Sequence, residues 1–476
     1  MRNVSGVQAM HFYGGASDVF LICGFTQSAV GYRNGACVPL KKFDLANIDH
    51  VEVLKGPAAM LYGPSDPSGM INYVTKQPQK EAAYSIEQSI GSFDNYRTEA
   101  SATGAIDREG MWTYRLDAAW QDVGSYRENV EGNRYFVSPT ISFRPNDNTE
   151  LNLNVEQQRD REVYDSGQPA VGNHLADLPR NRTFVQDSPS TYKNALIDFN
   201  GSHKFDSGWK VSGGILDSKQ RNDLLDIYAY GRLQEGDSIM TRDFYTGKER
   251  IDTRTTFMNV SGDVKIGDIN HKLLLGAERI SISNKQDIRD REIDQIDIYT
   301  FNSNTFVDPA LFKTGDVDIS QNLQTRSNGF FVRDQIKFNE HWQVLVGARY
   351  DNFKQDLDYA EFSPLVTQLS RNDSATSPRI ALLYQANQQL SSFANCVKSF
   401  GVAFDYEASA LYKPKEARQC ELGTKTELLN GDLSLNAALY HLIKTNIPTT
   451  DLSNPNRTIA IGEAQSRRLE LVRKVS

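Results

Sequence analysis

The segment at residues 111–120, Met-Trp-Thr-Tyr-Arg-Leu-Asp-Ala-Ala-Trp, restricts the fold more than any other. In an extended chain, Trp112, Tyr114, Leu116, Ala118 and Trp120 share one face, while Thr113, Arg115, Asp117 and Gln121 share the other. The period is two, so a helix would scatter both sets. The pattern returns in Trp342, Val344, Val346, Ala348 and Tyr350 against Gln343, Arg349 and Asp351. It returns again in Leu433, Leu435, Ala437 and Leu439 against Ser434 and Asn436. Aromatic ends with aliphatic residues between them describe a lipid-facing band held between aromatic girdles. A soluble sandwich also alternates, but these runs often reach about ten residues, beyond the usual soluble strand.

Composition agrees. The 476 residues are only 39% hydrophobic, yet 10% are aromatic, and mean hydropathy is −0.51. A barrel with a wet lumen turns only every second residue to lipid, so it is polar on average. A net charge of −8 without a basic cluster argues against a nucleic-acid surface. No apolar run approaches the roughly 18 residues of a spanning helix. No secretory leader is visible in the first residues, as an outer-membrane protein would require.

Tight turns are expected at 107–110, 144–148, 206–209, 267–270, 339–341 and 430–432. Between them lie long polar stretches at 163–190, 230–252, 285–320, 355–373 and 401–415, read as outer loops. Short and long connections alternate, as in outer-membrane barrels. Roughly sixteen strands follow.

Residues 1–79 differ: short strands and many glycines. Residues 20–25 suggest a buried strand, and Asn34-Gly35 a hairpin turn. At 51–76, two β-type runs (51–54 and 70–75) flank Lys55-Gly56-Pro57, a possible helical turn at 58–61, and Gly63-Pro64-Ser65-Asp66-Pro67. Proline fixes φ and glycine supplies φ > 0, which makes this a compact strand–turn–strand unit.

That stretch resembles the plug-domain signature of TonB-dependent outer-membrane receptors, in the siderophore-receptor branch. The matching residues are Val51, Glu52, Lys55, Gly56, Pro57, Tyr62, Gly63, Asp66, Pro67, Gly69 and Asn72. The segment from Lys413 to Glu427, with Lys444-Thr-Asn446 and Gly462-Glu463-Ala464, resembles the family's C-terminal strands. The resemblance implies an antiparallel transmembrane β-barrel, all-β dominated, around an N-terminal α+β plug. It implies a division into a partial plug (1–79) and an incomplete barrel (80–476), with roughly 16 of 22 strands and no TonB box. Cys23, Asn34 and Ser68 stand where the family shows arginine, aspartate and glycine. The first two changes are expected to leave buried partners without hydrogen bonds.

All four cysteines, Cys23, Cys37, Cys396 and Cys420, replace other family residues, and each change is one nucleotide. A decayed or truncated gene copy with defective transport is one expectation; ordinary drift is the other, and resequencing the locus would separate them. The spacings match no zinc or CxxC pattern. A Cys23–Cys37 disulfide is open, with unpaired thiols the plainer reading.

No enzyme constellation stands out: the seven histidines form no HxxxH or HExxH pair, and no GxSxG elbow is present. No metal site or cofactor is expected. Asp66 and Glu52 read as turn and packing groups. Lumen charges such as Arg115, Asp117, Arg349 and Asp351 are expected to pair with each other or with the plug. The resemblance implies a ferric siderophore as ligand, the TonB complex and outer-membrane lipid as partners, and the outer membrane of a Gram-negative bacterium as location. A bulky chelate is held by aromatic and polar side chains. The candidates are plug residues expected to face outward (Tyr32, Arg33, Phe43) and loop aromatics (Tyr228, Tyr230, Phe244, Tyr245, Tyr299, Phe301). Alternatives are a receptor for cobalamin or a saccharide, a passive porin, and a soluble β-rich binding protein.

Overall fold

The structure, a computed structural model, describes residues 4, 6–12, 17–27, 31–38, 42–66, 68–230, 233–234, 236–303, 305–308, 310, 316–401, 411–429, 432–451 and 454–475. The chain opens with a three-stranded sheet of β1 (Val7–Phe12), β2 (Ser17–Ile22) and β3 (Phe25–Gln27). The buried strand expected over 20–25 is therefore broken: Cys23, at φ 53°, and Gly24 turn the chain between β2 and β3. A four-stranded sheet follows, ordered β5 (Ala36–Val38), β4 (Gly31–Arg33), β7 (Gly69–Thr75), β6 (Ile48–Lys55). Asn34 and Gly35, at φ 49° and 84°, make the expected hairpin turn between β4 and β5. The helical turn is present as α1 (Ala59–Tyr62).

The remaining strands form one meandering antiparallel sheet of 16 strands. It begins with β8 (Ala83–Gly91), β9 (Asn95–Ala105), β10 (Trp112–Val123), β11 (Gly132–Asn146) and β12 (Thr149–Glu162). A small hairpin, β13 (Ala170–Val171) with β14 (His174–Leu175), sits in the next connection. The sheet continues with β15 (Ser190–Lys204), β16 (Lys210–Tyr230), β17 (Ile239–Ile266), β18 (Ile269–Asp297), β19 (Ile319–Lys337) and β20 (Trp342–Glu361). It ends with β21 (Thr367–Gln385), β22 (Leu390–Gly401), β23 (Lys415–Leu428), β24 (Leu433–Asp451) and β25 (Asn454–Val475). Among the described residues no pairing joins β8 to β25, so the barrel is incomplete.

The alternation lies where the pattern placed it. Along β10, Trp112, Leu116 and Trp120 are exposed outward, while Thr113, Arg115 and Asp117 are buried inward. Eight residues separate Trp112 from Trp120, and Trp342 from Tyr350, about 26 Å at ~3.3 Å per residue. That matches the apolar band of a transmembrane barrel. Three expected loops were read too long. Most of 230–252 belongs to β17, of 28 residues, the first third of 285–320 to β18, of 29 residues, and 355–373 is largely β20 and β21. These strands continue as paired ladders beyond the lipid, where both faces meet water and the apolar signal of period two disappears.

Cysteine pairing is also corrected. Cys396 and Cys420 are direct cross-strand partners on β22 and β23 and form a disulfide, whereas Cys23 and Cys37 are free and buried. The hairpin register, invisible in sequence, decides which thiols meet.

Candidate functional site

The N-terminal unit sits in the barrel lumen, and the site is the seam between them. At its centre is the turn between β6 and β7. Gly63 adopts φ 72°, and a Cβ there would lie 2.7 Å from Glu278 Oε2 and 2.8 Å from Arg349 Nη2. Only glycine meets both the backbone demand and the close approach. Below it Arg349 binds two carboxylates, Glu278 at 2.7 Å and Asp351 at 2.8 Å, in a site shut off from water. The wall pairings expected for Arg349–Asp351 and Arg115–Asp117 are both present, the latter at 2.7 Å. Beside Gly63, Ala59 packs on Phe353, Ala375 and Phe400, and its amide donates to Ser399 Oγ at 3.3 Å.

Asp66 is a second fastening. Its Oδ1 accepts from the Ser68 amide at 2.9 Å and the Ser68 hydroxyl at 2.6 Å, and Lys444 Nζ approaches to 3.0 Å. The serine found where the family shows glycine therefore adds a bond to the turn. Glu52 accepts from Asn72 Nδ2 at 2.8 Å, and Asn72 Oδ1 caps the Gly35 amide. Lys55 reaches Glu470 at 2.7 Å. Pro67 lies outside the described residues.

The opposite side of the unit is held by charge. Arg33 pairs with Glu156, Lys42 with Glu162 at 3.1 Å, and Asp44 with Arg97 at 2.8 Å and Arg134 at 3.4 Å. Burial alone would raise the Asp44 carboxyl. The hydrogen bonds from Arg97 and the Ala46 amide, with the charges of Arg97 and Arg134, outweigh it and hold Asp44 below its ordinary value. Asn34 donates to Asp198 at 3.1 Å and accepts from the Thr75 amide at 3.0 Å. The expected loss of hydrogen bonds at Asn34 thus does not occur, because an amide suits the Asp198 carboxylate. Cys23 packs with Tyr440 in an apolar cluster, and burial pushes its thiol up.

Tyr32, Arg33 and Phe43 do not face outward as expected. All three are buried at 0%, 1% and 6% exposure, inside the unit or against the wall. Tyr32 donates to the Pro64 carbonyl and meets Tyr62 edge-on, and Phe43 packs on Tyr73. The sequence does not distinguish a residue facing open water from one facing a polar lumen wall.

The loop aromatics divide. Phe244 and Phe301 are buried, the latter under Arg242 at 4.8 Å and beside Phe184. Tyr299 is 48% exposed. Tyr228, half-buried, meets Tyr164 edge-on, and Tyr245 packs against Tyr192, Leu224 and Ile288. Tyr230 ends β16, and its side chain lies outside the described residues. On the lumen side of Tyr245, Lys42, Asp160, Glu162, Tyr192, Asn194, Gln220 and Asn222 surround a small recess of about 10 Å³, room for about one water. Among the described residues nothing donates a hydrogen bond to the buried Asn194 Oδ1 and Asn222 Oδ1 in its wall. None of these lining residues was singled out from sequence, although all but Lys42, which comes from the plug, sit at inward positions of alternating strands.

Comparison with known proteins agrees with this architecture. Residues 137–474 match the family model "TonB dependent receptor-like, beta-barrel", and residues 1–70 match "TonB-dependent Receptor Plug Domain". The chain is 33% identical over 437 residues to the metal-pseudopaline receptor of Pseudomonas aeruginosa, covering 90% of this chain and 61% of the relative. It is 26% identical to the ferrioxamine B receptor of Salmonella typhimurium, covering 89% and 60%. The chain thus spans about three-fifths of the length of these relatives. Among solved structures, the ferripyoverdine receptor of Pseudomonas aeruginosa superposes with TM-score 0.86 at 19% identity, covering 100% of this chain and 65% of that one. The siderophore receptor PiuA of Acinetobacter baumannii gives 0.87 at 17%, covering 99% and 73%. A plug seated in a strand-built lumen, matched along both parts, places this chain in the TonB-dependent receptor family, whose members are transport receptors and not enzymes.

Proposed function

We propose that this chain forms the plug and much of the barrel of an outer-membrane receptor of a Gram-negative bacterium that takes up a metal ion wrapped in a siderophore. The carrying observation is the plug–wall seam: a turn with an obligatory glycine rests on a dry ion cluster, while half-buried ion pairs hold the far side. Such a stopper has a closed arrangement from which a population can be shifted. Pulling by the TonB complex supplies the work, and no bond is made or broken in the cargo.

The named ligands of the relatives, metal-pseudopaline and ferrioxamine B, support a chelate as cargo. Half-buried Tyr228 and Tyr245, with exposed Tyr299, supply aromatic contact surface for a chelate on the loop side of the plug. Tyr32, Arg33 and Phe43 act from beneath by holding the plug in place. The plug–barrel division at residues 79 and 80 is supported by the end of β7 at Thr75 and the start of β8 at Ala83.

The test is quenching of the four tryptophans in the purified chain by ferrioxamine B, a metal–pseudopaline complex and a ferric catecholate. Saturable binding of one chelate, weakened by Tyr299→Ala, supports the reading. Failure of every chelate to bind heat-modifiable, folded protein overturns it.

A further inference from the structure

Along β22 the alternation fails at one place. Val397 and Ser399 are buried on the lumen side, and Cys396 is exposed on the outer face. Phe400 should then face outward, as its cross-strand partner Glu416 on β23 does. Instead it is 1% exposed, and its ring stacks on lumen-facing Phe353 at 5.5 Å and 10°. With Gly401, three successive residues of the strand are buried.

The ladder breaks at the same point. β21 and β22 pair as far as Arg379 and Val397, and among the described residues no pair joins them beyond it. Pro378, the next residue on β21, has no N–H to offer. On its other side β22 stays paired with β23 as far as Gly401 and Lys415. A break of this kind gives up pairing and re-aims a side chain, and such breaks gather beside functional sites.

Phe400 is aimed at the plug. Ala59, at the start of α1, shares one buried cluster with Phe353, Ala375 and Phe400, and its amide donates to Ser399 Oγ at 3.3 Å. The outer end of β22 is therefore held by β23 and by the plug helix just where its neighbour β21 lets go. Two fastenings make β22 and β23 one piece there. The Cys396–Cys420 bridge lies immediately before the break, and Lys398 meets Glu416 at 3.0 Å beside it. Around Arg349, by contrast, β19, β20 and β21 stay paired without interruption, so the seat there has no such freedom.

We propose that the outer end of the β22–β23 ladder, residues 398–401 with 415–418, is a lever gripped by the plug. The seating of α1 sets where this lever stands at the barrel mouth, and moving the lever loosens α1. The grip works both ways because a coupling free energy between two sites is reciprocal. Its use in uptake, carrying the state of the plug to the outside, rests on the receptor reading given above.

The experiment is hydrogen exchange read by mass spectrometry on the detergent-solubilised chain, with heat-modifiable gel mobility checked on every protein. Phe400→Ala should speed exchange of the 59–63 amides about tenfold or more. Ala59→Gly should speed exchange at 398–401 and 415–418 about fivefold, leaving 350–356 on β20 unchanged. Combining the two should add little to either, since each alone breaks the same contact. Phe400→Leu should keep most of the protection. Phe393→Ala, which removes a ring lower on β22 beneath Lys425, should leave 59–63 as before. Should Phe400→Ala fail to fold, Ser399→Ala takes its role, because it deletes only the bond to the Ala59 amide.

A merely structural ring would give a one-sided pattern. An Ala59→Gly effect confined to the plug, a Phe400→Ala effect confined to β22 and β23, or equal loosening of 59–63 by Phe393→Ala would each overturn the proposal. Chelate quenching is read on the same samples. Reciprocal exchange without chelate binding would sink the receptor reading and leave the grip standing, whereas chelate binding with one-sided exchange would sink the grip alone.

Discussion

The inner and outer faces of the barrel wall are written in alternate letters of the same strands, yet they hold their surroundings by opposite means. Outside, Leu116, Val344 and Leu439 need only be apolar, because lipid contact has no direction. Inside, Arg349, Lys444 and Arg97 must meet particular carboxylates at hydrogen-bond distance. One face therefore tolerates exchange among apolar residues and the other does not. The comparison teaches that placement of the plug is specified by a few charged pairs, and placement in the membrane by a summed band.

The sharpest break should come at Arg349. Arg349→Ala would leave Glu278 and Asp351 buried without their cation, and should cost about 3–5 kcal/mol in urea unfolding in detergent. Adding Glu278→Gln and Asp351→Asn should recover part of that; an unchanged midpoint for the single variant would break the inner half of the comparison. On the outer face, Leu116→Arg in mid-band should cost about 2–4 kcal/mol, whereas Leu116→Ile should be near neutral, by the same measurement. Lys444→Ala should cost less than Arg349→Ala, about 1–3 kcal/mol, because the Ser68 amide and hydroxyl still satisfy Asp66. Proteolysis within the β6–β7 turn would report that loosening.

The smallest effect is a pH dependence. Asp44 is held below its ordinary value of 3.8, so its charged form favours the seated plug. That contribution is complete above pH 3.8 and fades as the pH falls below it. Hydrogen exchange of the 42–48 segment should accelerate there in the unaltered chain, and not change further in Asp44→Asn.

How much of this was readable beforehand follows from the same contrast. Alternation is local, so the strand count and the outward band were visible in runs such as 111–120. Pairing is not local: Arg33 and Glu156 are 123 residues apart, and Lys444 and Asp66 are 378 apart. Lys444-Thr-Asn446 and Asp66 were each marked by resemblance, but nothing in either motif says that they touch. The same blindness to register hid the Cys396–Cys420 bridge, and it made the buried Tyr32 and Arg33 look like surface groups. Where strands outrun the bilayer, as β17 and β18 do, the apolar signal stops although the strand does not.

The plug is tied to the wall like a wheel to its rim, with spokes at Arg97, Glu156, Asp198, Ser399, Lys444 and Glu470. The spokes differ in strength, from exchangeable rim pairs to a dry central hub. A tug on one end of the chain would load them in succession, never all together. The total work of removal can then be large while the greatest force at any instant stays small, as when a strip is peeled and not sheared.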